Sequence, residues 1–272
     1  PLGSLRTDGN PWGEDRSARL DWAESLKIPA YTEDTENLFF TCCTHAYDAR
    51  NKKVIKEMAS LLMKAGVNLG VLGTEESCCG DQPHKCGDFS VFNTLQQSNA
   101  DLFTSKGVKK IIASSPHCMN TFGKQYDPAF TAEHYTQTFA RLLSEERIAP
   151  KKEVPLKVAY HDPCYLGRHN GIYEEPRQVL KSLPGLDYIE LPRNREDALC
   201  CGGGGGGIWS EVPVEERFGV ARVNEAKESG ANVIATACPF CTIMLEDGLR
   251  ALGLDEEMRV MDVAELLFES VG

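Results

Sequence analysis

Several features that would place this chain in a common functional class are missing from its sequence. Lys and Arg number 29 against 40 Asp and Glu, which gives a net charge of −11 and argues against a nucleic-acid partner, because phosphate contacts need clustered cations. The longest uncharged segment, residues 229–245, contains Asn232 and Pro239 and is shorter than the roughly 20 apolar residues of a membrane-spanning helix. We therefore expect neither nucleic-acid binding nor a membrane span in these residues.

Nucleotide-cofactor motifs are also missing. The glycine run Gly202–Gly207 lacks the strand–helix turn, and the acidic residue about 20 positions later, that mark a dinucleotide-binding fingerprint. The chain shows no flavin or NAD motif elsewhere either, so the sequence does not predict a nucleotide cofactor.

Cysteine is the residue present in excess. The eleven cysteines are an odd number that cannot pair completely. The chain is long, rich in Lys and Glu, and shows no signal peptide, unlike disulfide-stabilised secreted domains. Metal or cluster binding in a reducing compartment is the alternative use of so many thiols. The sequence therefore predicts a metal-binding protein of the cytoplasm.

The hydrophobic pattern divides the chain into three parts. Residues 1–36 are polar and show little periodicity, so we interpret them as a linker arm that begins with Pro1–Ser4, which resembles the remnant of a cleaved expression tag. Residues 37–150 and 151–272 then form two repeats, because a proline-containing linker at 148–157 is followed by a second copy of the same pattern of elements.

Strand and helix patterns alternate within each repeat, which favours an α/β class with a small, mainly parallel sheet and flanking helices in each of two pseudo-symmetric repeats. The predicted strands are 37–41, 67–72 and 110–114 in the first repeat, and 156–161, 186–191 and 232–236 in the second. The predicted helices are 48–65, 89–105, 173–183 and 214–229.

The cysteine spacing confirms that the repeat is a duplication. The five matching positions of the two halves are separated by 121, 122, 122, 123 and 123 residues, an agreement that chance does not explain. The second half has cysteine at all five positions: Cys164, Cys200, Cys201, Cys238 and Cys241. These cysteines follow predicted strands, so they should converge at the carboxyl edge of a parallel sheet.

Five thiolates at one sheet edge are suited to holding an iron–sulfur cluster, for which four thiolates suffice in the standard cubane. Adjacent side chains on extended backbone diverge, so the pair Cys200-Cys201 should either contact different iron atoms or lie in a tight turn. The run Gly202–Gly207 lets backbone N–H groups approach an anionic cluster. A flexible linker is the alternative interpretation of this run.

The first half departs from the complete pattern because Ser115 stands where the second half has Cys238. Its remaining thiols are sufficient for an all-thiolate Zn²⁺ site or for a modified cluster. The predicted metal ligands of the first half are Cys43, Cys78, Cys79 and Cys118.

Two further cysteines of the first half can replace the missing ligand. Cys42 precedes Cys43 on a predicted strand, so we expect its side chain to point the other way, as a buried core thiol. Cys86 lies seven residues after Cys79 and is a weaker candidate. Either His117 or His161 can orient a ligand or carry a proton, and no catalytic residue is predicted.

These motifs resemble a known family. The pattern Cys–x35–Cys-Cys–x36–Cys-Pro-Phe-Cys, with Gly202 directly after the pair, is similar to the CCG-domain, or cysteine-rich-domain, iron–sulfur oxidoreductases. These include the B and D subunits of heterodisulfide reductase, glycolate and lactate oxidase iron–sulfur subunits, and proteins of the electron-transfer-flavoprotein:quinone oxidoreductase type. Residues 161–168 resemble the signature of the family's second repeat, and residues 10–13 resemble a connector that follows a ferredoxin-like domain in longer members.

The resemblance implies a noncubane [4Fe-4S] cluster held by the five cysteines of the second repeat. It implies an electron-transfer domain of a larger oxidoreductase, with a flavoprotein or ferredoxin-like donor and a quinone-reducing domain or protein of the membrane as partners. Membrane attachment would then come from those parts. Two alternatives stay open: reduction of a disulfide between paired clusters, against which Ser115 counts, and a structural zinc site in the first repeat, which otherwise holds a second cluster.

Overall fold

The architecture is described from a computed structural model, in which residues 1–127 and 129–272 are placed. These residues form two compact units, Pro1–Thr138 and Phe139–Gly272. Each unit contains one four-stranded sheet in which all neighbouring strands pair in parallel. The predicted α/β class, with a parallel sheet and flanking helices in each of two repeats, is confirmed.

The sheet of the first unit has the strand order β2-β1-β3-β4. Its strands are β1 (Asn37–Phe40), β2 (Leu69–Gly70), β3 (Lys110–Ala113) and β4 (Thr131–His134). Its helices are α1 (Leu2–Thr7), α2 (Cys43–Tyr47), α3 (Ala49–Lys64), α4 (Asp81–Lys85), α5 (Phe89–Ser105) and α6 (Pro116–Gln125), followed by α7 (Tyr135–Ser144) at the unit boundary. Short 3₁₀ helices span Arg16–Ala23 and Gly73–Glu75.

The sheet of the second unit repeats this order as β6-β5-β7-β8. Its strands are β5 (Lys157–Tyr160), β6 (Asp187–Ile189), β7 (Val233–Thr236) and β8 (Arg259–Asp262). Its helices are α8 (Glu174–Lys181), α9 (Phe218–Glu228), α10 (Pro239–Ala251) and α11 (Val263–Val271). Three 3₁₀ helices, Arg195–Asp197, Gly207–Trp209 and Val214–Glu216, lie between β6 and α9.

Local sequence explains why these elements form where they do. The β1 residues Leu38, Phe39 and Phe40 are all buried, as expected where helices cover both faces of a parallel sheet. Asp48 caps α3 by accepting a hydrogen bond from the backbone N–H of Asn51, which satisfies one of the unpaired donors at a helix start. After α3 the chain turns at Gly66 with φ +67°, a conformation that glycine adopts without strain.

The amino-terminal segment packs against the first unit. Trp22 is buried, and the backbone N–H of Tyr31 donates to the Val71 carbonyl at 2.9 Å. The carbonyl of Gly9 accepts from the backbone N–H of Cys78 at 2.8 Å. Residues of the predicted linker arm therefore help to fix the loop that carries the first adjacent cysteine pair.

Candidate metal centres

The predicted cysteine ligands lie in the connections that follow three strands of each sheet, as the pattern indicated. In the first unit, Cys42 and Cys43 follow β1, Cys78 and Cys79 follow β2, and Cys118 follows β3. In the second unit, Cys164 follows β5, Cys200 and Cys201 follow β6, and Cys238 and Cys241 follow β7. Carboxyl ends of parallel strands share one edge of a sheet, so each unit gathers its thiols at that edge.

The five predicted ligands of the second unit form one continuous group of contacting thiols. The Cys164 and Cys200 sulfurs lie 3.9 Å apart, and the Cys201 and Cys241 sulfurs lie 3.3 Å apart. The Cys200 thiol also contacts Cys201, and Cys238 contacts Cys241. None of the chain's eleven cysteines, all of which lie within the described residues, forms a disulfide.

A tight turn follows each adjacent cysteine pair. Gly202 has φ +89° and donates its backbone N–H to the Cys200 sulfur at 3.3 Å. Gly80 has φ +91° and donates in the same way to the Cys78 sulfur at 3.4 Å. Both turns share a glycine in a conformation that other residues rarely adopt, and this glycine brings a backbone donor to a sulfur.

The rest of the glycine run folds back on this turn. Gly203 donates its N–H to the Cys201 sulfur at 3.5 Å. A Cβ atom on Gly207 would lie only 2.0 Å from the Gly202 carbonyl oxygen. The run is therefore a loop folded against the cysteine pair, with close backbone approaches at Gly203 and Gly207.

A helix begins at the third cysteine motif of each repeat. Cys238 is the N-cap of α10 and Ser115 is the N-cap of α6, and in both cases proline occupies the first helical turn. Proline at the first turn costs no hydrogen bond there. The partial positive charge of a helix N-terminus stabilises thiolates.

Buried ion pairs hold the second-unit loops in place. The Arg177 guanidinium donates to both Asp162 carboxylate oxygens at 2.7 and 2.8 Å and to Glu190 at 2.6 Å. Asp162 lies between β5 and Cys164, and Glu190 follows β6, so one arginine joins the loops that carry two ligand groups. Separating the two loops would break these ion pairs and leave a buried charge without its partner, which is costly. We therefore expect the loops to be rigid.

His161 lies beside the second group of thiols. One of its ring nitrogens and the sulfurs of Cys201 and Cys241 all lie within 4.8 Å of one another. Arg222 donates from Nε to His161 Nδ1 at 3.1 Å, so Nδ1 must be the unprotonated nitrogen. The ring proton is therefore on Nε2, which has no hydrogen-bond partner among the described residues. Burial lowers the pKa of His161 to about 3, so the ring is neutral.

The first unit also gathers its predicted ligands. The Cys43 thiol contacts Cys78, which contacts Cys79, and Cys79 contacts Cys118. Cys42 joins this group because its thiol contacts Cys118. The expectation that Cys42 points away from the site is therefore wrong. Its premise, that Cys42 continues a strand, fails because β1 ends at Phe40.

The backbone of Cys42 explains the direction of its side chain. The residue is the N-cap of α2, with φ +57° and ψ +140°. For a residue other than glycine, this backbone conformation costs roughly 1–3 kcal/mol of free energy, and it persists only where the surrounding structure maintains it. Cys86, the other candidate replacement, is exposed at the end of α4, whereas all five thiols of the first group are buried.

A buried arginine approaches the first group from the amino-terminal segment. The Arg19 guanidinium lies 3.6 and 3.8 Å from the Cys43 sulfur and forms an ion pair with Glu76. Glu76 also accepts hydrogen bonds from the backbone and hydroxyl of Thr41. Both charged side chains are only 1% exposed. No sequence motif marked Arg19, because it lies in the segment interpreted as a linker.

His117 occupies a different environment from His161. It forms a 2.8 Å hydrogen bond through Nδ1 with the Asp81 carboxylate, and both side chains are buried. Asp81 opens α4 directly after the turn at Gly80. The carboxylate fixes the orientation of the imidazole next to the Cys118 motif, and the role of His117 in orienting a ligand or carrying a proton stays a prediction.

The protonation of the crowded thiols tests whether they fit a metal centre. Hydrogen bonds from Cys118 and Cys78 lower the pKa of Cys79 to about 6, and those from Cys164 and Cys201 lower the pKa of Cys200 to about 2. The pKa of Cys241 is raised, mainly by burial. Without a cation each group stabilises few thiolates, whereas bound metal deprotonates its coordinating thiols. The donor set therefore fits bound metal ions with thiolate ligands.

The two groups of thiols differ in access. In the second unit Cys164 and Cys200 are only partly buried and line an open pocket of about 700 Å³. Phe218, also in its lining, is 58% exposed. The first group is enclosed by comparison. Solvent and small molecules can therefore reach the second site through this pocket.

The helices are short relative to the thickness of a membrane. Within the residues that the structure describes, none of them has the length and apolar character needed to cross a bilayer.

Known proteins are similar to this chain in sequence. A model of the CCG cysteine-rich domain matches residues 37–123 and 158–246. The chain is 37% identical to "Probable iron-sulfur-binding oxidoreductase FadF" of Bacillus subtilis (strain 168) and 36% identical to "EtfAB:quinone oxidoreductase" of Syntrophomonas wolfei, in each case over 98% of the chain and 40% of the relative. It is 33% identical to the D subunit of the dihydromethanophenazine:CoB–CoM heterodisulfide reductase of Methanosarcina barkeri, over 97% of the chain and 65% of that protein.

The chain thus spans about two fifths of the first two relatives and about two thirds of the third. The family matches cover both predicted repeats, each with its adjacent cysteine pair and its third cysteine motif. The chain belongs to the CCG cysteine-rich-domain family of iron–sulfur oxidoreductases and carries two copies of that domain.

Proposed function

We propose that this chain is an electron-transfer domain of a larger oxidoreductase and that its second repeat binds a noncubane [4Fe-4S] cluster. The observation that carries the proposal is the contiguous group of five thiols at one sheet edge, open to solvent at Cys164 and Cys200. Such a cluster accepts and releases single electrons. Five thiolates exceed the four of a standard cubane or of a tetrahedral zinc site.

The surrounding residues have separate roles in this proposal. The five cysteines provide the thiolate ligands, and Gly202 and Gly203 donate backbone N–H groups to two of their sulfurs. The neutral His161 supplies one more donor through Nε2. The ion pairs of Arg177 fix the ligand loops, so little rearrangement accompanies a change of charge. These are the features that set a cluster's potential: hydrogen bonds to sulfur, burial and local charge.

The partners follow from the relatives only as a proposal. One relative is named as an EtfAB:quinone oxidoreductase, so a flavoprotein donor and a quinone-reducing acceptor in the membrane are the partners we favour. A ferredoxin-like donor domain serves the same purpose. In either case the partly exposed edge at Cys164 and Cys200 is where electrons enter or leave the second centre.

The pocket favours a second candidate function, reduction of a disulfide. An incoming disulfide can reach the partly exposed thiols through the 700 Å³ opening. The reaction takes two electrons from the flavoprotein or ferredoxin-like donor and two protons from solvent, breaks the S–S bond and yields two thiols. Turnover of disulfides by the reduced chain, above the rate of a cluster-free variant, would favour this function.

For the first repeat we propose a second metal centre at Cys43, Cys78, Cys79 and Cys118, either another iron–sulfur cluster or Zn²⁺. Iron, acid-labile sulfide and zinc per chain, measured on protein prepared without oxygen, separate these options. About four iron and four sulfide with one zinc indicate one cluster and a structural zinc site. About eight iron and eight sulfide indicate two clusters.

The proposed function is tested by replacing a ligand of the second repeat. Cys164→Ser should abolish the redox signal of the second centre and lower the iron content by about four atoms per chain. Cys86→Ser is the matched control, because Cys86 is exposed and lies outside both groups of thiols. An unchanged redox signal in Cys164→Ser would exclude the assignment.

A further inference from the structure

The first residue of the third cysteine motif differs between the two repeats by one side-chain atom, an oxygen in place of a sulfur. Ser115 occupies the N-cap of α6 and Cys238 occupies the N-cap of α10, with similar extended backbones at φ −131° and −156°. Serine therefore places a hydroxyl where the second repeat has a thiol. By position alone, the first repeat has lost one of its five ligands.

The first repeat nevertheless contains five contacting thiols. Cys42 is buried, 6% exposed, and its thiol contacts that of Cys118. Cys118 belongs to the same motif as Ser115, at the start of α6. The thiol of Cys42 thus joins the group at the motif whose first cysteine is missing.

The chain geometry after the first strand of each unit explains how this exchange is possible. Two residues, Thr41 and Cys42, separate β1 from Cys43, whereas three residues, 161–163, separate β5 from Cys164. The shorter connection turns sharply at Cys42, at φ +57°. An ordinary strand continuation would direct its side chain away from that of Cys43. The strained turn instead directs both thiols to the same group.

We propose that Cys42 is a ligand of the first repeat and replaces the thiolate lost at Ser115, so that this repeat binds a second iron–sulfur cluster through five cysteines. The inference extends the proposed function to the first repeat but depends on different residues. Thiolate is a better ligand for iron–sulfur clusters than a serine hydroxyl. Five converging thiols also exceed the four ligands of a structural zinc site.

Backbone strain at Cys42 provides a second argument. Glycine adopts positive φ without cost, whereas a residue with a Cβ atom does not. A cysteine at this position therefore carries a backbone cost that glycine would not. The thiol of Cys42 has a function if it binds the metal. Comparing cysteine with glycine at this position therefore tests the proposal.

The test compares four proteins prepared without oxygen as the full chain: wild type, Cys42→Gly, Ser115→Ala, and the double variant Cys42→Gly/Ser115→Cys. Iron, sulfide and zinc are counted per chain, and the signals of the two centres are followed by electron paramagnetic resonance. We expect about eight iron for wild type and for Ser115→Ala, and about four for Cys42→Gly. The double variant should return to about eight, because it restores the cysteine pattern of the second repeat.

Urea unfolding of the metal-free proteins separates ligand loss from misfolding. Because relief of strain at position 42 offsets the loss of a small buried side chain, metal-free Cys42→Gly should still unfold cooperatively, at a urea midpoint close to that of wild type. Iron loss together with such a midpoint supports the role of Cys42 as a ligand.

Three results would overturn the inference: full iron in Cys42→Gly, loss of iron in Ser115→Ala, or about four iron and one zinc in wild type. None of them bears on the second repeat, whose own test is Cys164→Ser. If the proposed function is wrong, by contrast, the redox signal of Cys164→Ser will be the same as that of wild type, whatever iron content Cys42→Gly shows.

Discussion

Replacing His161 tests the electrostatics of the second centre. Arg222 holds Nδ1 of this buried ring as an acceptor, so the ring proton is on Nε2, and one ring nitrogen lies within 4.8 Å of the sulfurs of Cys201 and Cys241. We expect the Nε2–H group to donate to the thiolates once the centre is formed. A donor next to an anionic centre stabilises the more negative, reduced state. His161→Leu removes the donor and should make the centre harder to reduce, whereas His161→Gln keeps an N–H group.

The size of the shift follows from the strength of such a bond. A hydrogen bond to a charged group contributes about 1.5–3 kcal/mol, and only part of that changes when one electron is added. Since 59 mV corresponds to a factor of ten, or about 1.4 kcal/mol, for a one-electron couple, the full bond sets an upper limit near 130 mV. We expect a fall of about 50–100 mV in His161→Leu and less than half of that in His161→Gln.

The assay is a redox titration of the full chain followed by electron paramagnetic resonance, with the signal of the first repeat as an internal control. His161 belongs to the second unit, so the first-repeat signal should not move. A potential within about 10 mV of wild type in His161→Leu would refute the argument that Nε2 donates to the centre. Equal shifts in the Leu and Gln variants would show that packing, and not the donor, is responsible.

Three more predictions follow from other buried groups. Arg19→Gln should lower the potential of the first-repeat centre and Glu76→Gln should raise it, because Arg19 places a positive charge beside Cys43 and Glu76 is its negative partner; redox titration that finds the same sign for both variants would contradict this. Burial holds the pKa of His134 well below its usual value, so only the unfolded chain binds a proton there below about pH 6.5. His134 alone should therefore contribute a loss of about 2 kcal/mol in the unfolding free energy of the metal-free protein between pH 8 and pH 5, and urea unfolding should find the total loss smaller by that amount in His134→Asn. Gly207→Ala places a Cβ atom against a backbone oxygen and should reduce iron in the second repeat alone, so metal analysis with full iron would contradict the close packing of that loop.

Sequence patterns located some of the long helices and central strands with little error. The predicted helix 89–105 coincides with α5, and the predicted strand 110–114 with β3 plus one residue. Such segments are fixed by local periodicity and by terminating glycines, which is why they can be recognised without tertiary information. The fourth strand of each sheet, β4 or β8, was not predicted. Each is four residues long and is followed directly by a helix, so no separate strand pattern stands out.

The helix starts at the third cysteine motif were also missed, although a signal was present. Pro116 and Pro239 lie in the first turn of α6 and α10, a position where proline is common. The motif was interpreted only as a ligand pair after a strand. Recognising the proline as a helix start would have placed a helix N-terminus at each centre.

The sequence by itself determined the duplication, the parallel α/β repeats, the family and the five predicted ligands of the second repeat, because spacing and periodicity are properties of the chain alone. Only the tertiary structure decided the direction of Cys42, the approach of Arg19 from a distant segment and the proton position on His161. A side-chain direction depends on the φ and ψ angles of its turn, and these are set by packing that spacing does not encode. The tautomer of a histidine likewise depends on which partner, here Arg222, the fold places against it.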